Sequence, residues 1–587
     1  DLLVDDDLTV AGDVAVTGDY SSATSGTSNL RLGVNAGNSI ASGGNQNVVV
    51  GDEAGTAITT GDENVFVGFQ SGDALVDGTF NVAMGSNSLT TDTKGKKSVA
   101  IGTNALATQN FTTLTDSFNT AVGHSAGTGV TTGVQNTLIG GLAGDALTVG
   151  VRNVALSANA LSTDTQGSHS IAIGYNSLFN QNFTTATETY NTAVGYNTGS
   201  SVTTGLGNTL TGGLAGDALT DADYNTVFGY NALSSDTLGS RSTAIGIAAL
   251  FTQNFTTATD SYNTAVGNLA GYAITTGNLN TLIGSYTGDA LTVGADNTAL
   301  GRTALTSDTL GSKSVAIGSS ALETQNFTTA TDTYNTAVGY KAGEKVTTGV
   351  QNTLIGGLAG DRLTDADYNT AVGYDALSAD TLGSRSTAIG INTLKSQNFT
   401  TATETYNVAV GHSAGLAVTT GVNNTLIGGL AGDAITTGND NTSLGLHSLG
   451  ANTLSNRNTA IGSSTLYSFN VASDTHTYNT AVGYGAGYAV TTGIQNTLIG
   501  GLAGDALTDA DHNVVVGYAA LSSDTLGSKS IAIGHAALQV QNFVTATDAY
   551  NVAVGYNAGQ QITTGNTHSL FGGFAGTAIT NGTHNTC

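Results

Sequence analysis

The segment NTAVGYNTGSSVTTGLG (191–207), followed by NTLTGGLAGDALTDADY (208–224), NTVFGYNALSSDTLGSR (225–241) and STAIGIAALFTQNFTTATDSY (242–262), decides the fold. These pieces are 17, 17, 17 and 21 residues long and make a 72-residue unit. The unit recurs without insertion or deletion, and its copies begin at Asn47, Asn119, Asn191, Asn263, Asn335, Asn407, Asn479 and Asn551. Such a fixed period predicts one stacked repeat array instead of several globular domains.

Each piece opens with Asn or Ser, continues through Ala or Leu and then Val or Ile, and reaches Gly at its fifth position. This pattern predicts a short strand that ends at a tight corner. No segment keeps a 3.6-residue apolar period, and β-branched residues are abundant, so helices are not expected. We therefore predict an all-β protein, an elongated parallel β-solenoid or β-roll of about 30 coils. With strands about 4.8 Å apart, the rod would be on the order of 145 Å long.

Stacking of the coils gives the repeated letters a structural meaning. The Val or Ile at the fourth position is predicted to form an aliphatic ladder in the interior, and the leading Asn a ladder of hydrogen-bonded amides. Gly at the fifth position is predicted to allow a corner that a Cβ would obstruct, with Ser157 as an exception. The predicted ladder residues include Asn119, Gly123, Asn136, Gly140, Asn191 and Gly195.

The fourth piece of each unit carries four extra residues and the motif QNFTTAT, which predicts a bulge from the rod once per unit. Its aromatic residues could pack against a neighbouring chain, cover the local core or form a platform for a ligand. The possible surface or partner contacts are Phe183, Tyr190, Phe255, Tyr262, Phe327, Tyr334, Phe399 and Tyr406.

Composition limits the classes of function. The formal charge is −27, which argues against binding to nucleic acids or anionic membranes. No stretch approaches 18 consecutive apolar residues, so insertion into a membrane is not expected. Glu is rare, no acidic pair breaks the repeat as a unique active site would, and the nine His residues are out of register. We therefore predict a protein without catalytic residues or a cofactor.

Two recurrent charged patterns leave alternatives open. Asp217, Asp221 and Asp223 resemble the start of a calcium-binding loop but lack its Gly and distal Glu, so they are either a solvated acidic turn or a weak Ca²⁺ site. A basic residue such as Arg241 follows Asp236 by five positions in most units. This spacing predicts either a charge pair that registers adjacent chains or an exposed pair of little energetic value.

The predicted organisation has four parts. Residues 1–28 form a leader that predicts two short strands joined by a tight turn, and residues 29–46 form a lead-in coil. Seven complete units fill 47–550, and a partial eighth unit covers 551–587.

The motifs SVAIG (98–102), SIAIG (170–174), STAIG (242–246) and NTAVG resemble the coils in the heads of trimeric autotransporter adhesins. That resemblance implies a left-handed parallel β-roll in which three chains form one head. The longer pattern NTAVGYxALSSDTLGS and the leader DDDLTVAGDVAVTGDY are similar to repeats in tail fibres and other virion proteins of tailed phages. No heptad stalk, membrane anchor or C-terminal chaperone domain is visible in these residues.

Together these observations favour a non-enzymatic, homotrimeric fibre of the virion surface that spaces or mediates attachment to a host. A thin core of Ala, Val and Gly also favours lateral association. Expected partners are a cell-surface glycan or protein receptor, bound outside the cell with avidity from three chains. The alternatives are the head of a bacterial surface adhesin, a surface filament, or a glycan-degrading tailspike, which would need two placed carboxylates.

Overall fold

The structure is a computed structural model that describes residues 24–587, and every regular element in this range is a short β-strand. The strands pair in parallel with those of the neighbouring coils. The predicted all-β parallel solenoid is therefore confirmed. The two strands predicted in the leader lie outside the described residues. No helix within residues 24–587 is long and apolar enough to cross a membrane.

The described residues form two compact units, which divide between Asn268 and Leu269. Both are built from the same three-residue strand, which occupies positions two to four of each coil. In the first unit these strands are Leu30–Leu32, Val48–Val50, Val65–Val67, Val82–Met84, Val99–Ile101, Thr120–Val122, Thr137–Ile139, Val154–Leu156, Ile171–Ile173, Thr192–Val194, Thr209–Thr211, Thr226–Phe228, Thr243–Ile245 and Thr264–Val266. In the second they are Thr281–Ile283, Thr298–Leu300, Val315–Ile317, Thr336–Val338, Thr353–Ile355, Thr370–Val372, Thr387–Ile389, Val408–Val410, Thr425–Ile427, Thr442–Leu444, Thr459–Ile461, Thr480–Val482, Thr497–Ile499, Val514–Val516, Ile531–Ile533, Val552–Val554 and Ser569–Phe571.

Shorter strands accompany the 21-residue coils. A two-residue strand near the end of a unit's third coil pairs in parallel with one near the end of its fourth coil. The pairs are Gly95–Lys96 with Thr115–Asp116, Gly167–Ser168 with Thr187–Glu188, Gly239–Ser240 with Thr259–Asp260, Gly311–Ser312 with Thr331–Asp332, Gly383–Ser384 with Thr403–Glu404, and Gly527–Ser528 with Thr547–Asp548. In 407–478 a single bridge from Asn456 to His476 replaces this pair.

The strand register follows the coil length. Ala193 lies beside Leu210, 17 residues later in the next coil. Across the longer fourth coil, Ala172 lies beside Ala193, 21 residues later. Equivalent positions therefore stack on one another, and the four extra residues are absorbed outside the strand.

The core is filled by the third position of each coil, not the fourth. Ala121 and Leu138 at the third position are fully buried, whereas Ile355 and Ile499 at the fourth are 38% and 39% exposed. Successive strand residues point to opposite faces, so burying the third position turns the second and fourth outward. The predicted interior Val/Ile ladder is therefore wrong. These side chains instead form an aliphatic stripe on the outer face of the sheet.

Glycine at the fifth position makes the corner possible. Gly123 has φ of +141°, and a Cβ there would lie 2.4 Å from the carbonyl oxygen of Gly140 in the next coil. Gly140 and Gly195 adopt the same conformation, with φ of +138° and +143°. Ser157 also occupies this corner, at φ of +119°, a region that a residue with a Cβ rarely adopts.

The leading asparagines are fully buried and hydrogen-bond in two directions. Asn119 Oδ1 accepts a hydrogen bond from the backbone N–H of Asn136 at 2.9 Å, which links successive coils. Asn136 Nδ2 donates to the carbonyl oxygen of Gly150, 14 residues later in its own coil, also at 2.9 Å. Each Asn side chain thus closes its own coil and accepts from the next one, which accounts for its recurrence at this position.

Candidate functional surface

The residue immediately before each coil's first residue lies on the surface in the left-handed backbone region. Among these residues are Tyr224, Arg241 and Tyr262, with φ of +57°, +61° and +49°. Because every coil places this residue at the same point, its side chain lies next to the corresponding side chains of neighbouring coils. We call this set of residues the closing row.

Cations in the closing row lie between aromatic rings. The guanidinium carbon of Arg241 is 5.4 Å from the ring centroid of Tyr224 and 5.8 Å from that of Tyr262. Arg385 has the same arrangement, 4.8 Å from Tyr368 and 5.8 Å from Tyr406. These separations are within the range of cation–π attraction.

A carboxylate completes each of these clusters. Arg241 Nε is 2.9 Å from Asp260 Oδ1, and the hydroxyl of Tyr262 donates to Asp260 Oδ2 at 3.3 Å. Corresponding ion pairs are Lys97–Asp116, Lys313–Asp332, Arg385–Glu404 and Lys529–Asp548. The surface therefore offers a Tyr ring, a cation and a carboxylate at a spacing set by the coils.

The predicted pairing of Asp236 with Arg241 is wrong. Asp236 is fully buried, and its carboxylate accepts hydrogen bonds from Gln253 Nε2 at 2.5 Å, Gly239 N at 3.0 Å and Phe255 N at 3.1 Å. Burial raises the pKa of Asp236, while the hydrogen bond from Gln253 acts in the opposite direction. The Asp is part of the interior, and Arg241 takes Asp260 as its partner instead.

Gln253 of the QNF motif substitutes for a missing Asn in the ladder. The fourth coil begins with Ser242, which has no side-chain amide to continue the ladder. Gln253 Oε1 instead accepts from Asn263 Nδ2, at the start of the next unit, at 2.8 Å. Gln253 Nε2 also donates to Ser242 Oγ at 2.9 Å. Gln253, which lies 17 residues after Asp236, thus carries the amide ladder across the boundary between this repeat and the next.

The repeat at 407–478 supports this interpretation, because its fourth coil begins with Asn458. Asn458 Oδ1 accepts directly from the backbone N–H of Asn479 at 3.2 Å. The position of the glutamine is taken by Phe469 and that of the buried aspartate by Asn452, and both are fully buried. In the repeat whose fourth coil begins with Asn, the glutamine and the aspartate are therefore both absent. In the other complete repeats the fourth coil begins with Ser, and both are present.

The aromatic residues of the fourth coil separate into two groups. Phe183, Phe255, Phe327 and Phe399 are only 5–6% exposed. They cover the core of their own chain and do not offer the predicted contact surface. Tyr190, Tyr262, Tyr334 and Tyr406 belong to the closing row and are 58%, 50%, 52% and 50% exposed. Of these eight residues, the four tyrosines are placed where a ligand or another chain can reach them.

The weak calcium site at Asp217, Asp221 and Asp223 is not supported. Within residues 24–587, no group of three or more Asp, Glu, His or Cys residues could hold a metal ion. Asp221 instead accepts from Thr204 Oγ1 at 2.6 Å, and Asp223 from the backbone N–H of Leu206 at 2.8 Å. These two carboxylates bind groups 17 residues earlier, in the preceding coil, so they contribute to stacking.

A groove beside Arg385 shows what the closing row can do chemically. Its volume is about 300 Å³, and its lining includes Asp367, Tyr368, Arg385 and Glu404. An exposed aromatic face beside charged donors and acceptors suits a ligand that has both an apolar face and hydroxyl groups. Sequence reasoning identified the closing Tyr and the basic residue separately. Both precede the first residue of a coil, and that shared position is the signal that would have joined them.

Neither a protein-family model nor a curated protein sequence matches this chain. The arguments about function therefore rest on the coils themselves.

Proposed function

We propose that this protein is a non-enzymatic fibre of a virion surface, a homotrimer that spaces or mediates attachment to a host cell. The outward aliphatic stripe supports the association of chains in this proposal. Four isoleucines at equivalent fourth positions of the coils in 269–587 are 37–39% exposed: Ile283, Ile355, Ile389 and Ile499. A sheet face with such a repeating stripe would bury apolar area against further copies of the same chain.

Association through the stripe is consistent with the charge of the chain. Because each chain has a formal net charge of −27, copies of the chain repel one another at long range. An apolar face is therefore a better basis for close lateral contact than ion pairing. A closed cyclic arrangement satisfies all copies equally and leaves no unpaired stripe at an edge. We therefore propose three chains around one axis, with their closing rows facing solvent.

For the contact with the host we propose a cell-surface glycan and the tyrosines of the closing row. The half-exposed rings of Tyr262 and Tyr406 can stack on sugar faces, and Arg241 and Arg385 can donate to sugar hydroxyls. Three chains with several such clusters each would give avidity from weak individual contacts. The place of action in this proposal is extracellular.

Analytical ultracentrifugation at micromolar concentration tests the trimer. We expect three copies per particle for the wild type and dissociation for Ile355→Lys combined with Ile499→Lys, because each change places a charge within the stripe. Arg385→Lys is the matched control, since it keeps the charge of the closing row and leaves the stripe untouched. A monomeric wild type, or equal dissociation of the control, would contradict the proposal.

An array of immobilised oligosaccharides tests attachment separately. We expect selective binding by the wild type, reduced when Tyr262 and Tyr406 are changed to Ala. Incubation of the same oligosaccharides with the protein should release no shortened products. Release of products would identify a glycan-degrading enzyme instead.

A further inference from the structure

Basic residues are concentrated in the copy of the repeat at 335–406. Five of the chain's 15 Lys and Arg residues lie within these 72 positions. They are Lys341, Lys345, Arg362, Arg385 and Lys395. Arg362 and Lys395 stand where the copy at 191–262 has Ala218 and Phe251, so the two copies differ in charge at these positions.

Several of the substituted positions meet at one cavity. It has a volume of about 450 Å³, and Asp361, Arg362, Asp375 and Lys395 supply its charged lining, together with polar groups such as Ser378. This volume is in the range of cavities that hold small ligands.

Two of the four charges neutralise each other. Lys395 Nζ is 2.8 Å from Asp375 Oδ2, and the side chain of Asp375 is only 13% exposed. A short pair with one buried partner is a fixed element of the wall, and it leaves the charges of Asp361 and Arg362 to be considered.

Asp361 and Arg362 carry opposite charges that the protein does not pair. Asp361 Oδ1 is buried without a hydrogen-bond partner. Among the described residues, no ion pair includes either Asp361 or Arg362. A buried acceptor without a donor is costly unless something binds it, and a guanidinium group is well suited to carboxylates and phosphates.

We propose that this cavity binds a small zwitterionic ligand, whose primary ammonium group pairs with the carboxylate of Asp361 and whose carboxylate or phosphate contacts the guanidinium group of Arg362. This site is separate from the closing row and does not depend on the proposed attachment function.

The chain contains its own reference sites. Asp217 and Asp505 occupy the same repeat position as Asp361, and each also has a buried Oδ1 without a partner. Their next residues are Ala218 and Ala506, so both sites lack the cation. The zwitterion should therefore bind at Asp361 and not at the other two positions.

Isothermal titration calorimetry on the full chain provides the test, with β-alanine and phosphoethanolamine as probes. Ethylamine and propionate, each with one of the two charges, are the matched control ligands. We expect one site per chain for at least one zwitterion, with binding at least tenfold tighter than for either single-charge compound. The tighter zwitterion then distinguishes a carboxylate from a phosphate ligand.

Variants show whether the measured heat of binding comes from this cavity. Asp361→Asn and Arg362→Ala should each weaken binding at least tenfold, whereas Asp217→Asn should leave it unchanged. Arg362 is exposed, so its variant is expected to fold even if Asp361→Asn does not. No binding of either zwitterion, equal binding of the single-charge compounds, or an equal loss in Asp217→Asn would each overturn the proposal.

Discussion

Removing the side-chain amide of Gln253 should weaken the structure at the boundary between two 72-residue repeats. Gln253→Ala removes one of the three donors to the buried Asp236 carboxylate, at 2.5 Å, and one acceptor of the buried Asn263 amide, at 2.8 Å. A hydrogen bond to a charged group contributes about 1.5–3 kcal/mol and a neutral one about 0.5–1.5 kcal/mol. We therefore expect the free energy of unfolding to fall by about 2–4 kcal/mol.

The copy at 407–478 supplies the rescue for this experiment. Because Asn452, Asn458 and Phe469 occupy these positions there, the triple variant Asp236→Asn, Ser242→Asn and Gln253→Phe should recover most of the loss. Urea unfolding followed by circular dichroism measures the effect, and Thr256→Ala in the same coil is the exposed control. The reasoning is refuted if Gln253→Ala behaves like Thr256→Ala, or if the triple variant is no more stable than Gln253→Ala.

Three further changes test the corner, a buried acid and the surface pairs. Ser157→Gly should raise the urea midpoint, because relief of about 1–3 kcal/mol of backbone strain exceeds the roughly 0.5–1 kcal/mol that Gly costs in entropy. Ser86→Gly, at a position without positive φ, should lower the midpoint. Shifts of the same sign for both variants would contradict the strain at Ser157. Burial raises the pKa of Asp361 from its ordinary 3.8 to about 6, so the folded state holds this proton more tightly than the unfolded chain. The resulting stabilisation is lost as the pH rises through this window, and the Tm of the wild type should fall relative to Asp361→Asn between about pH 4 and pH 7; a constant difference would argue against the shift. Arg241→Ala should leave the urea midpoint unchanged, because its pair with Asp260 is exposed to solvent, and a clear decrease would show that the pair is structural.

The sequence was sufficient for the architecture because the 17-residue period and the Asn-to-Gly pattern report directly on backbone stacking. It was insufficient for the direction of the strand side chains. Ala at position three and Val at position four, as in Ala121 and Val122, are both apolar, so their hydrophobicity does not show which one faces inward. Size does not decide it either, because position three is fully buried both as Ala121 and as the larger Leu138.

The candidate surface was predicted only in part for a related reason. Tyr262 and Arg241 were each recognisable from their recurrence, but their contact depends on a left-handed backbone conformation that composition does not reveal. Asp236 was misassigned because a spacing of five residues suggested proximity to Arg241. Its true partner, Gln253, is 17 residues away, one coil further along the chain.

The closing row has a consequence for how this protein can change over time. Tyr262, at the surface, directly precedes Asn263, in the buried ladder, so a permissive position adjoins a constrained one in every coil. Substitution of the outer residue alters the surface at intervals of about one strand spacing, roughly 4.8 Å, without disturbing the interior. Selection can therefore change the surface residues of one coil at a time, while the buried ladder residues keep their sequence.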